Sequence, residues 1–287
     1  MAKTAFIGLG VMGFPMAGHL SAAGHSVVVY NRNTVKAEDW VARHGGAAVP
    51  TPAAAAEGAE FVFSCVGNDD DVRSIALGDS GVLASLAPDA VFVDHTTASA
   101  TLARELDSAA AAKGCRFLDA PVSGGQQGAE NGQLSIMIGG EEAAFEAARP
   151  VMDAYAKAMI LVGPAGSGQL TKMVNQICLA GLTQGLAEAL AFAARSGADT
   201  EKILAAISKG AAQSWMMDHR AETMLDDRFD FGFAVDWLRK DLGIALEEAR
   251  RSGASLPVTA LVDQFLGAIQ KRQGGRWDIT SLIRLVR

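Results

Sequence analysis

The stretch Phe6-Ile7-Gly8-Leu9-Gly10-Val11-Met12-Gly13 decides how the first half of the chain is read. It closes a short apolar run that begins at Thr4 and opens a helix-forming stretch through Met16 to Ala22. Three glycines at this spacing meet three separate demands. The first makes the tight turn, the second lets backbone approach a pyrophosphate, and the third lets helix and strand pack closely. An ordinary tight turn between strand and helix also uses glycine, so the spacing alone is weak. The context is more specific, because a second β-like run, Ser26-Val27-Val28-Val29-Tyr30, follows the helix and completes a βαβ unit. The helix N-terminus then presents its N–H groups to an anion. Gly8, Leu9, Gly10, Val11, Met12 and Gly13 are therefore expected to bind a dinucleotide.

Working outward, residues 60–64 and 90–94 are further runs of β-branched and aromatic residues, as expected for strands buried on both faces. Ala-rich helical stretches lie between them, which predicts right-handed crossovers and a mainly parallel sheet. Further strands are expected at 115–118, 134–138 and 158–162. From Gly168 the β signal stops, and 169–195 reads as one long helix whose Gly181 and Gly185 would permit close helix contact. Helical spacing continues through 201–209, 234–251, 256–270 and 278–286, with Gly197, Gly253 and Gly274-Gly275 as stops. The fold class is α/β: an N-terminal Rossmann doubly wound sheet over 1–164, then an all-α domain over 165–287, joined by the long helix.

Composition narrows the function classes. With 287 residues, two domains are the default. A net charge of −7 and no Lys/Arg block disfavour nucleic acid as a partner. Cys65, Cys115 and Cys178 are far apart and read as small core residues of a reducing compartment. The N-terminal apolar run is too short for a signal segment or a membrane span, so a cytoplasmic protein is expected. His19, His25, His44, His95 and His219 form no ligand-spaced cluster, and no metal is expected.

The end of the second strand bears on which dinucleotide binds. An enzyme that takes NAD usually places Asp or Glu about 20 residues past the glycines, where it holds the ribose hydroxyls and repels a 2′-phosphate. Here the residues are Asn31-Arg32-Asn33. A guanidinium in place of the acid favours NADP, with NAD at lower affinity, although a strand-end arginine can also be merely solvated.

Three more segments carry chemistry. Lys172 and Asn175 stand three apart on the long helix and so share a face, with Gln176 alongside. A lysine on so apolar a helix is either a snorkelling surface group or a functional one, since burying an ammonium is costly. Ser123-Gly124-Gly125 follows a strand end at Asp119 and can aim backbone N–H groups and a hydroxyl at a carboxylate. Lys240 lies on a later helix behind Phe231, Phe233 and Trp237.

Together with Asp119-Ala120-Pro121-Val122, Gly168 to Val174 and Lys240-Asp241-Leu242, these stretches make the chain resemble the β-hydroxyacid dehydrogenases over nearly its whole length. That family includes 3-hydroxyisobutyrate dehydrogenase and semialdehyde reductases. The resemblance implies hydride transfer between NADP and a small 3-hydroxy acid or its semialdehyde. It makes Lys172 the general acid/base, Asn175 a hydrogen-bonding neighbour that fixes the substrate, and Ser123, Gly124 and Gly125 the substrate loop. It likewise places Val66, Gly67, Thr97 and Lys240 against the cofactor and leaves Asp241 structural. A homodimer or homotetramer built through the helical domain is also implied.

Gln176, Gly67 and Trp237 depart from residues frequent in the family, and the departures at Gln176 and Trp237 bear on the shape of the substrate pocket. Imine reduction on the same scaffold is a second reading, weakened because Lys172 stands where those enzymes generally carry Asp or Tyr. A decarboxylating phosphogluconate dehydrogenase would want a longer helical domain. A non-catalytic dinucleotide-binding protein is disfavoured by Lys172, Asn175 and Lys240.

Overall fold

The computed structural model describes residues 1–287. Its packing divides the chain into two compact units, Met1–Lys172 and Met173–Arg287, with the division inside the long helix.

The first unit runs β1 (Lys3–Ile7), α1 (Gly13–Ala22), β2 (Ser26–Tyr30), α2 (Thr34–His44), β3 (Ala47–Ala48), α3 (Pro52–Ala56), β4 (Phe61–Ser64), α4 (Asp69–Leu77), β5 (Val91–Asp94) and α5 (Ala100–Ala111). It continues with β6 (Arg116–Asp119), β7 (Val122–Ser123), α6 (Gly125–Glu130), β8 (Leu134–Gly140), α7 (Glu142–Met152) and β9 (Ala156–Gly163). The sheet order is β3-β2-β1-β4-β5-β6-β8-β7, with β9 beside β8. Every pairing from β3 across to β6 is parallel. Strand β8 runs antiparallel to β6 and β7 and parallel to β9. Connections leave β1 in both directions, so the switch point, where ligands bind in such sheets, lies between β1 and β4.

The near-continuous apolar runs are explained by two cores, one on each face of the sheet. Phe6, Val29, Phe63, Val93 and Leu118 point into one, and Ile7, Val62, Phe92 and Phe117 into the other. Each such side chain, fully buried, stabilises the fold by about 1.5–3 kcal/mol. Register does the rest. Ile7 pairs with both Tyr30 and Ser64, Ser64 with Asp94, and Asp94 with Asp119. Five strands therefore end level, and the loops that follow them emerge along one edge.

Helix α8 (Ser167–Arg195) is 29 residues long and carries the chain into the second unit. It is long and apolar enough to cross a membrane by length and composition, and 44% of its most apolar window is buried within the protein. The second unit adds α9 (Thr200–Ile207), α10 (Trp215–Leu225), α11 (Val235–Ser252), α12 (Pro257–Lys271) and a 3-10 helix over Ile279–Leu285. Leu190, Met224, Leu238, Leu242, Leu266 and Leu282 meet in its core. Gly253 ends α11 with a left-handed φ of 78°, the stop that its position in the sequence predicts.

Two expectations are corrected. A Cβ on Gly185 would meet nothing within 4 Å and one on Gly181 only Val258 at 3.8 Å, so neither glycine serves close packing within this chain. Of the cysteines only Cys115 is buried; Cys178 is exposed because it lies on the outward face of α8, which sequence composition does not reveal.

Candidate active site

The glycine turn sits at the switch point. Gly8 has φ +96°, and a Cβ there would lie 2.4 Å from the Cys65 carbonyl oxygen and 2.9 Å from the Val66 side chain. A Cβ on Gly13 would lie 1.9 Å from the Gly8 carbonyl oxygen, so close approach of helix to turn demands that glycine. Gly10 differs, because a Cβ there would meet nothing within 4 Å. Nothing inside the protein requires a glycine at that position, which is what a residue kept small for an external group looks like. Val11 and Met12 follow, and α1 begins with no side-chain cap. By contrast Asn33, Thr51, Asn68 and Ser99 cap α2 to α5. The N–H groups that open α1 thus suit an anion.

Asn31 braces this turn, its Oδ1 accepting from Leu9 N–H at 2.8 Å and its Nδ2 donating to the Asn33 carbonyl at 2.9 Å. The Asn33 carboxamide is engaged as the N-cap of α2. Arg32 stands 87% exposed in its side chain and reaches Asp71 at 3.3 Å. An exposed ion pair of this kind holds its partners weakly.

Next along the edge, Asp94 gathers a buried network. It accepts from Ser64 Oγ and Thr96 Oγ1, each at 2.7 Å, and Thr96 Oγ1 accepts from Val66 N–H at 3.0 Å. Burial raises the Asp94 carboxyl to about 6 against those hydrogen bonds, which favour its charged form. His95 is buried and lowered by burial to about 4, hence neutral at pH 7. Its Nδ1 is 2.7 Å from the Ala120 carbonyl, which can only accept, so the proton sits on Nδ1 and Nε2 accepts from the Tyr155 hydroxyl at 2.9 Å. Gln169 ties the same loop to α8, donating to the Thr96 carbonyl at 2.8 Å and accepting from Ala98 N–H at 3.0 Å. Thr97 stands between these two anchored residues; Val66 and Gly67 lie in the loop that follows β4, and all three are half-buried.

Lys172 is buried, at 8% exposure, on the second turn of α8. Its Nζ donates to the Val122 carbonyl at 2.9 Å, which sets the ammonium beside Ser123, Gly124 and Gly125. The two glycines take φ of +129° and +60°, so that loop depends on them. Asp119 fixes the arrangement from below. Its carboxylate accepts from Gly166 N–H at 2.7 Å and Gln169 N–H at 2.8 Å, pinning the start of α8 to the end of β6. Burial raises this carboxyl also to about 6. Asp119 and Gln169 carry no assigned role in the sequence reading; the available signal was a polar residue at the end of a buried strand and another inside an apolar helix.

In the helical unit, Asn175 Nδ2 donates to Gln176 Oε1 at 2.7 Å, and Gln176 Nε2 donates to Asp241 Oδ2 at 2.6 Å. Lys240 Nζ lies 3.2 Å from Asp241 Oδ1. Asn175 and Lys240, separate in sequence, are thus joined by a short polar chain. Trp237 is exposed, with Lys240 and Arg276 at 6.0 and 5.8 Å from its ring centroid. No group of three or more His, Cys, Asp or Glu side chains is placed to hold a metal ion.

Residues 3–163 match the model of the NAD-binding domain of 6-phosphogluconate dehydrogenase, and residues 166–286 match that of the NAD-binding domain of NADP-dependent 3-hydroxyisobutyrate dehydrogenase. The chain belongs to the β-hydroxyacid dehydrogenase family. As a member it is an NAD(P)-dependent hydroxyacid dehydrogenase. It is 58% identical to an oxidoreductase of Shewanella frigidimarina, over 99% of this chain and 97% of that one. It is 34% identical to the 2-hydroxy-3-oxopropionate reductase of Escherichia coli, over 98% and 96%. Among solved structures, 3-hydroxyisobutyrate dehydrogenase of Mycobacterium tuberculosis with L-serine superposes with a TM-score of 0.90 at 31% identity, covering 100% of this chain and 99% of that one. The glycine turn, the buried lysine and the Ser-Gly-Gly loop of this β-hydroxyacid dehydrogenase lie in one compact unit.

Proposed function

We propose that the chain moves a hydride between NADP(H) and a small 3-hydroxy acid or its semialdehyde, with Lys172 as the general acid/base. The observation that carries this reading is the buried Lys172 ammonium, held at 2.9 Å by the Val122 carbonyl next to the glycine loop. Desolvating a cation is costly, so a lysine held inside the fold is not a snorkelling surface group. A substrate carboxylate gathered by Ser123 Oγ and the N–H groups of Gly124 and Gly125 would bring its β-carbon oxygen to that amine.

The turn from Gly8 to Gly13 fits a pyrophosphate, because Gly10 leaves room and α1 opens uncapped. Val66, Gly67 and Thr97 flank the same edge, and Lys240 is assigned to the cofactor with them. When bound, the nicotinamide supplies or accepts the hydride. Lys172 then gives a proton to the carbonyl oxygen as it becomes an alkoxide, or takes the hydroxyl proton in the reverse direction. Asn175 holds that oxygen by hydrogen bonding. Arg32 supports NADP over NAD: its pairing with Asp71 is solvent-exposed and weak enough to yield to a 2′-phosphate. The names of the relatives point to the same substrate class, since 2-hydroxy-3-oxopropionate, 3-hydroxyisobutyrate and L-serine are small carboxylates with an oxygen on the β-carbon.

NADPH oxidation with a panel of semialdehydes and cyclic imines, for wild type and Lys172→Ala, tests the reading. The variant is expected to lose about a thousandfold in kcat, within the usual range for a general acid, while binding NADPH as before. Oxidation of the hydroxy acid should accelerate as pH rises, because the lysine must be deprotonated to act as a base. A Lys172→Ala enzyme that keeps most of its turnover, or a panel in which only imines react, overturns it. We also propose a homo-oligomer, supported by Leu182, Phe192, Val258 and Leu261, apolar residues left exposed on α8 and α12. A monomer in sedimentation at micromolar concentration would remove that part.

A further inference from the structure

Asp241 is buried in the helical unit, and its two carboxylate oxygens take different partners. Oδ2 accepts from Gln176 Nε2 at 2.6 Å, while Oδ1 faces the Lys240 ammonium at 3.2 Å. A carboxylate at neutral pH only accepts, so it turns the NH2 end of the Gln176 carboxamide toward itself. The Oε1 end then faces Asn175 and orders that amide in turn, with Asn175 Nδ2 donating at 2.7 Å. An amide has two flips of nearly the same shape, and only its hydrogen-bonding partners choose between them. One negative charge here chooses for two amides in series. It leaves Asn175 with its Oδ1 acceptor and its second Nδ2 hydrogen directed elsewhere.

We infer that Asp241 is a positioning residue with two outputs. Through Gln176 it sets which way Asn175 presents its carboxamide to the substrate, and through Lys240 it holds the cofactor-side amine on the same carboxylate. The inference rests on the substrate role of Asn175 and the cofactor role of Lys240 proposed above. Gln176, buried at 1% exposure, is the relay. A residue there that cannot both donate and accept breaks the link while leaving the Asp241–Lys240 pair in place.

Steady-state kinetics with the 3-hydroxy acid that turns over fastest in the panel, and NADPH titration by fluorescence, test this on Gln176→Met, Asp241→Asn, Asn175→Ala and the double variant Gln176→Met/Asn175→Ala. Gln176→Met should raise KM about ten- to hundredfold, the loss of one hydrogen bond to a charged group, with NADPH affinity changed by less than about threefold. Asp241→Asn should raise KM and also weaken NADPH binding. The double variant should be no worse than Asn175→Ala, because a relay with one output cannot be broken twice. Additive penalties, or an unaltered KM in Gln176→Met, overturn the inference while leaving the proposed reaction standing. An unaltered KM in Asn175→Ala instead removes the substrate role of Asn175, and the relay falls with it. Should Asp241→Asn fail to fold, Gln176→Glu decides. Two carboxylates at this distance must share a proton, so its kcat/KM should fall with rising pH where wild type does not, and a superimposable pH profile refutes the relay.

Discussion

Alanine at Gly10 separates folding from cofactor binding. A Cβ there meets nothing within 4 Å, and Gly10 is not among the glycines with positive φ. The methyl group therefore fits the fold, and the stiffer unfolded chain should make the protein more stable by about 0.4–1 kcal/mol. The same methyl occupies the space through which a pyrophosphate must reach the backbone. Loss of one charge-assisted hydrogen bond costs about 1.5–3 kcal/mol, which weakens the Kd for NADPH about ten- to hundredfold. Gly13→Ala supplies the contrast. Its Cβ would lie 1.9 Å from the Gly8 carbonyl oxygen, so α1 has to retreat by roughly 1 Å, and overpacking of this kind costs about 1–3 kcal/mol or more. Urea unfolding and fluorescence titration with NADPH read both quantities. A Gly10→Ala protein that stays stable and binds NADPH as tightly as wild type would refute the argument that the second glycine makes room for a ligand. Wild-type stability in Gly13→Ala would refute the packing argument for the third.

Arg32→Asp should raise the KM for NADPH far more than that for NADH, because it removes the guanidinium and sets a charge against a 2′-phosphate; equal effects would end the NADP assignment. Asp94 is raised by burial to about 6, so between pH 6 and its unfolded value near 4 the folded chain binds a proton that the unfolded chain does not. Stability from this group thus grows as pH falls, by about 1 kcal/mol from pH 8 to pH 5, and Asp94→Asn should lose that increment in urea unfolding at the two pH values. His95 acts in the opposite sense. With its folded value lowered to about 4, it withdraws about 2 kcal/mol over the same interval, because the unfolded imidazole takes up the proton first. His95→Gln should therefore weaken the fold less at pH 5 than at pH 8, and a uniform loss would contradict the buried neutral tautomer. Asp119→Ala leaves the Gly166 and Gln169 N–H groups without their acceptor and should lower stability by about 2–5 kcal/mol, with kcat falling as Lys172 loses its anchor.

Much of this architecture was legible in the residues because it rests on local patterns. The runs at 26–30 and 90–94 are strands since both faces of the sheet are covered, which leaves no polar alternation to blur them. The glycine turn was readable because each glycine answers a backbone demand set by its neighbours. Strands β3 and β7 were not, for at two residues each they are defined by their partners. Helix α10, with Met216, Met217 and Met224 buried, likewise went unmarked among the apolar periodicities. In the site, Lys172 and Asn175 could be paired by helical spacing, whereas Asp119, Gln169 and Asp241 act on residues 47 to 73 positions away, a coupling that no local window contains.

Because Asp119 grips the end of β6 and the first turn of α8 together, the helix that carries Lys172 is stitched to the last strand of the parallel run from β3 to β6. Lys172, the Ser123 to Gly125 loop and the glycine turn therefore belong to one compact unit. On the reading proposed above, changes around Asn175 and Lys240 would alter which substrate is held while leaving the Lys172 anchor in place.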